Sequence, residues 1–172
     1  MISYTETDSP VGRLLLAGDE SAVRRIHFMN GSEESPPSQE WRNARSPLLK
    51  EALRQLEAYF AGELRDFTLE LAPEGTPFQL AVWRRLQEIP YGATISYGEL
   101  ARRVGNPKAS RAVGLANGAN PIPIVIPCHR VIGASGKLTG YGGGLPIKRT
   151  LLDIESAERR LAVKTANAAR TG

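Results

Sequence analysis

The chain has 172 residues, 41% of them hydrophobic, and its 22 Lys/Arg against 18 Asp/Glu give a formal net charge of +4. That length supports one large domain or two small ones with real cores, and no apolar run approaches the ~20 residues of a membrane helix. A single cysteine excludes an internal disulfide and leaves a Cys/His metal cage short of ligands, and the N-terminus lacks an export signal, so a free thiol in a cytoplasmic protein is expected.

The charge is unevenly placed. Residues 1–72 carry 8 Lys/Arg against 12 Asp/Glu, and residues 73–172 carry 14 against 6. The second half therefore suits an anionic partner, nucleic acid first, against the plainer reading of a basic solvated surface.

In chain order, ISYTET, RLLLAG and AVRRIHF are short β-type runs separated by turn residues, which predicts an antiparallel meander. Residues 31–45 are polar with a Pro pair and predict a loop. Ser46 caps a helix opened by Pro47, with Leu49, Leu53, Leu56 and Phe60 on one face and Gly62 at its end. FTLEL, residues 67–71, predicts a further strand, and APEG marks a boundary, giving domains 1–72 and 73–160 with a tail over 161–172. Thr76 and Pro77 open the next helix, with Phe78, Val82, Leu86 and Ile89 inward until Pro90 stops it.

Ser96 and Glu99 then form an S-x-x-E capping box for a helix closed by Gly105, and a tight GNP turn leads to a helical stretch over 108–118. Two short helices joined by such a turn are a helix-turn-helix candidate, flanked by Arg102, Arg103 and Lys108. The second helix is made of small residues, Ala109, Ser110, Ala112, Gly114, Ala116 and Gly118, around Arg111. A bald helix can enter a narrow groove and let Arg111 reach between bases, or it can simply pack closely on another helix.

Pro121, Pro123 and Pro127 stiffen the approach to Cys128 and forbid a regular helix or a central strand there. Three readings of Cys128 stand open: an inert buried thiol, a metal ligand without companions, or a nucleophile served by a base. His129 is adjacent, but neighbours in extended backbone point apart, so a bridging water suits the pair better than a direct bond. A base needs an orienter. In a final helix over 146–162, Ile147, Leu151, Leu152 and Ile154 define a buried arc that contains Glu155, which either pairs with His129 or reaches water at the arc's edge. Between them, residues 133–146 place six glycines around Tyr141, a loop able to approach a flat ligand or to act as a connector, without phosphate-loop spacing.

Taken together, the stretch from SYGELARRVGNPKASRAVG through NPIPIVIPCHRVIG to GYGGGLPIKRTLLDIE resembles the O6-alkylguanine-DNA alkyltransferases, the methylated-DNA–protein-cysteine methyltransferases. The likeness is dense over residues 76–155 and looser before them. It implies an α/β N-terminal domain of ribonuclease-H-like topology and a mostly helical, winged-helix-like C-terminal domain. It further implies minor-groove binding of duplex DNA, flipping of O6-alkylguanine, and irreversible transfer of the alkyl group by a monomer without cofactor or metal, with O4-alkylthymine and cooperative assembly on DNA left open.

By position, Cys128 would accept the alkyl group, His129 would deprotonate it through a water and Glu155 would orient the histidine. Tyr97 would help neutralise the departing guanine, Asn120 would act as a hinge, and Arg111 would fill the gap in the stack. Lys108, Ala109, Ser110, Ala112 and Gly114 would lie on the DNA, and Val131, Tyr141, Gly142 and Gly143 would line the guanine pocket. The alternatives are a lesion sensor of the same fold without chemistry, and a Cys–His–Glu hydrolase indifferent to DNA.

Overall fold

A computed structural model describes residues 1–29, 39–136, 141 and 144–156. The first half is a four-stranded sheet of order β3-β2-β1-β4, with β1 Ser3–Thr7, β2 Leu14–Gly18, β3 Val23–Phe28 and β4 Arg42–Asn43. The three β-type runs pair as the expected antiparallel meander, Tyr4 opposite Ala17 and Leu16 opposite Ile26. β4 was expected to be loop. Two residues are too short for an alternating pattern, yet Arg42 donates to Ile2 O and Ala44 to Tyr4 O, which adds β4 parallel to β1.

Helix α1, Pro47–Phe60, covers the sheet, and Ser46 caps it by accepting from the Leu49 amide. FTLEL is not a strand. Val23 donates to Glu70 O and accepts from the Ala72 amide, a single bridge, after which the Ile26 amide of the same edge is taken by Pro121 O at 3.0 Å. The edge that a fifth strand would need thus holds the proline segment instead.

The second half packs α2 Pro77–Leu86, α3 Tyr97–Val104 and α4 Ser110–Gly118 around one core. Thr76 and Gln79 form a reciprocal capping box on α2, whose end tightens into i→i−3 bonds at Glu88 and Ile89, so the helix stops before Pro90 is reached. Its inner face is Val82, Trp83 and Leu86, and Phe78 faces out at 37% exposure, because the Trp83 indole anchors the helix by donating to Ala116 O at 2.8 Å. Ser96 caps α3, but Glu99 does not return the bond: its carboxylate holds Arg102 and Arg103. Gly105 closes α3 at φ +92°, and α4 begins at Ser110, not Lys108.

The proline segment has no regular structure, as expected. Ile122, Ile124 and Ile126 are buried, and Ile124 is held at φ +75°, a conformation that costs a β-branched residue about 1–3 kcal/mol. Short strands β5 Ile95–Ser96 and β6 Val131–Ile132 pair in parallel beside it. The last helix, α5, spans Leu145–Glu155: Ser156 is extended, and the Tyr91 hydroxyl occupies the Ile154 carbonyl at 3.2 Å, while residues 157–162 of the expected helix lie outside the described residues. Gly142, Gly143 and the tail over 161–172 lie outside the described residues.

Candidate active site

Cys128 begins a 3-10 turn, Cys128–Arg130, so the backbone at the thiol is not extended as the sequence suggested. The thiol is buried and joins the wall of a cavity of about 180 Å³ shared with Asn117, Asn120, Pro123 and Tyr141. Asn120 fixes this corner three ways. Its Oδ1 accepts from the Ile122 amide at 3.0 Å, and its Nδ2 donates to Ile126 O at 2.8 Å and to the Cys128 sulfur at 3.0 Å. Burial pushes the thiol up to about 11, against the Asn120 amide, the Lys148 charge and Tyr141, which favour the thiolate. Tyr141 packs its ring on Phe28 at 5.9 Å; its buried hydroxyl falls short of a well-formed hydrogen bond but lies close enough to act on the sulfur.

His129 is wholly buried and meets Glu155 as anticipated, with Nε2 2.7 Å from Oε2. Glu155 does not reach water. Burial raises its carboxyl, but the bonds from His129 and Arg130 outweigh that and hold it at about 2, so it is a carboxylate. A carboxylate partner places the ring proton on Nε2. Desolvation lowers the His129 pKa, so the ring is neutral, and its Nδ1 is left as a buried lone pair with no hydrogen-bond partner among the described residues. The pair of His129 and Glu155 therefore presents a base, and no direct bond joins that base to the thiol among the described residues.

Several residues of this cluster were passed over in the sequence. Arg130 donates from Nε to Glu155 Oε1 at 2.7 Å and from Nη1 to Ile89 O at 2.6 Å. Lys148, on α5, is fully buried and donates to Val131 O at 2.6 Å. It lies on the same stripe as Leu151 and Glu155, so the buried arc of α5 is turned from the expected one and Leu152 and Ile154 sit at its edge. Tyr59 reaches Glu155 from α1 at 2.6 Å, and His27 and Phe28 of β3 wall the cavity. Only the i, i+7 spacing of Lys148 and Glu155 was a readable signal; the other contacts join elements far apart in the chain.

Of the remaining expected residues, Val131 meets the site through its carbonyl, and Tyr97 lies apart from the cavity wall, its ring beneath Lys148 Nζ at 5.9 Å and beside Gly114. Lys108, Ser110, Arg111 and Ala112 are exposed at and before the start of α4, as is Leu115 at 73% exposure. Arg102 and Arg103 share Glu99, so their contribution to a basic face is smaller than composition suggests.

This geometry can be set beside known proteins. The 6-O-methylguanine DNA methyltransferase models match twice, the ribonuclease-like domain over residues 2–73 and the DNA binding domain over residues 77–157. The chain belongs to the 6-O-methylguanine DNA methyltransferase family. Among its methyltransferase relatives, the methylated-DNA–protein-cysteine methyltransferase of Methanosarcina acetivorans is 56% identical over 154 residues, covering 90% of this chain and 98% of the relative. That of Mycobacterium tuberculosis is 53% identical over 157 residues, covering 91% and 94%. The crystal structure of the M. tuberculosis O6-methylguanine methyltransferase superposes with a TM-score of 0.84 at 52% identity, covering 91% and 94% of the two chains. A crystal structure of the M. tuberculosis protein in complex with DNA gives 0.81 at 51%, covering 90% and 93%. The methyltransferase fold is thus the sheet unit followed by the helical DNA-binding unit, as expected from the sequence.

Proposed function

We propose that this DNA-repair methyltransferase uses Cys128 as the acceptor of the alkyl group of O6-alkylguanine, consuming one protein per lesion. The observation that carries this reading is the lone thiol on a cavity wall, followed in the chain by a buried neutral imidazole whose Nε2 is backed by a carboxylate. At a pKa of about 11 the thiol is protonated in the free protein, so a base must take its proton as the reaction begins. His129 Nδ1 takes it through a water, and Glu155 stabilises the imidazolium that results. The sulfur then attacks the alkyl carbon: the S–C bond forms, the C–O6 bond breaks, and its electron pair stays on guanine, which takes up a proton with Tyr97 helping to neutralise it. The thioether has no hydrolysable bond, so no second turnover follows.

The O6 carbon is out of reach in a paired duplex, and the base must leave the stack at a cost of a few kcal/mol. α4 and the turn before it enter the minor groove, with Lys108, Ala109, Ser110, Ala112 and Gly114 on the DNA, and Arg111 occupies the vacated place, offsetting part of that cost. Residues 73–160 are the DNA-binding and acceptor unit, acting as a cytoplasmic monomer, and Tyr141 lines the guanine pocket. A sensor without chemistry has no use for a thiol placed on the cavity and supported by Asn120.

Intact-mass measurement after incubation with duplex DNA carrying O6-methylguanine tests the assignment. One added methylene, about 14 Da, is expected on the wild-type protein and none on Cys128→Ser, which should still bind the DNA. A gain in the serine variant would overturn it.

A further inference from the structure

We propose that Tyr59, on the helix that covers the N-terminal sheet, is a positioning residue for alkyl transfer: its hydroxyl sets the charge that Glu155 presents to His129. This rests on the reading of Cys128, His129 and Glu155 given above. Tyr59 is completely buried, and its hydroxyl donates to Glu155 Oε2 at 2.6 Å across 96 residues of chain. The same oxygen receives His129 Nε2 at 2.7 Å and Arg130 Nη2 at 3.1 Å, whereas Oε1 takes Arg130 Nε at 2.7 Å and the Gly92 amide at 3.5 Å. Tyr59 and His129 therefore draw on one atom.

The ring needs no hydroxyl for its packing. It lies 5.3 Å from Phe60, 5.3 Å from Phe67 and 6.3 Å from Tyr91, between centroids. Burial next to a carboxylate drives its phenol far above the ordinary range, so it is a neutral donor at every working pH. The charged and titratable groups around this cluster are Arg130, Lys148 from α5, Tyr91 and Tyr141, and none of them replaces a lost bond to Oε2 from the side of α1.

The sign follows from charge. With the phenol bond gone, Oε2 is less neutralised and holds the imidazole proton more strongly, which favours imidazolium and removes the base at a higher pH. Tyr59→Phe keeps the ring and deletes the bond. Its single-turnover transfer rate, followed from acid to mild alkali, should show the acid limb moved up by about half a pH unit or more. Replacing Tyr59 by 3-fluorotyrosine, a stronger donor of nearly the same shape, should move the limb down, and this arm decides if the phenylalanine variant does not fold. An unmoved limb, or a fall by one factor at every pH, overturns the proposal. Glu155→Gln separates the two readings. If it loses transfer while Tyr59→Phe follows the wild type, only the role of Tyr59 fails; if it too follows the wild type, the base assignment fails with it.

Discussion

The Asn120 side chain donates to the Cys128 sulfur at 3.0 Å while the same nitrogen holds the Ile126 carbonyl at 2.8 Å. One amide thus ties the sulfur to the proline segment that precedes it, and it is one of the groups that offset the burial of the thiol. Asn120→Ala removes a bond that strengthens as the thiolate forms, a contribution of about 1.5–3 kcal/mol, so transfer should slow by about 10- to 150-fold. Alkylation of Cys128 by iodoacetamide at fixed pH should slow with it. Unchanged alkylation would mean that the amide serves the backbone alone.

Lys148 offers the complementary case. It is buried, its charge favours the thiolate, and burial lowers its own pKa. Lys148→Met should raise the thiol further above about 11 and cut transfer by about tenfold, one pKa unit being a factor of ten in thiolate. Relief of a buried charge offsets the lost bond to Val131 O, so the thermal midpoint should change little. Loss of fold together with rate would instead make Lys148 a structural pin.

What the sequence disclosed was local. Caps at Ser46, Thr76 and Ser96, the stop at Gly105 and the prolines before Cys128 act over a few residues, and each appears in the fold. The pairing of His129 with Glu155 was legible because a carboxylate inside an apolar arc demands a partner. The fate of FTLEL was not, since a strand depends on a free neighbouring edge, and that edge is given to Pro121. Nor were Tyr59, Arg130 and β3 legible as parts of the site, because their contacts are set by how the two halves pack.

Acid should weaken the fold in two stages. The folded His129 pKa lies below 6.5, so the unfolded chain binds a proton that the folded chain refuses, and stability falls as the pH drops through about 6.5. Glu155 has a folded value of about 2 against 4.5, so its contribution, on the order of 3 kcal/mol, is present above 4.5 and lost as the pH falls from there toward 2. His27 is shifted in the same direction as His129 and adds to the first stage. Thermal midpoints measured from neutral pH downward should fall in both windows, and His129→Asn should flatten the upper one in part. A wild-type slope in that variant would show that His129 protonates without cost in the fold.

Arg111 should matter only to DNA. It is exposed near the start of α4 and takes part in no salt bridge among the described residues, so Arg111→Ala should leave the thermal midpoint within the range of ordinary surface changes, about 0.5 kcal/mol. Filling the stack is useful only where a base has been extruded from a duplex, and a free alkylated guanine has no stack to fill. Transfer from duplex O6-methylguanine should therefore fall much further than transfer from the free base. Loss of one phosphate-range charge should also flatten the dependence of duplex affinity on salt, by about one counterion where Arg111 is counted among the contacts. Equal losses on the two substrates would place Arg111 in the fold or in the cavity rather than in the duplex, and would remove the reason for a nearly bare α4 to carry it.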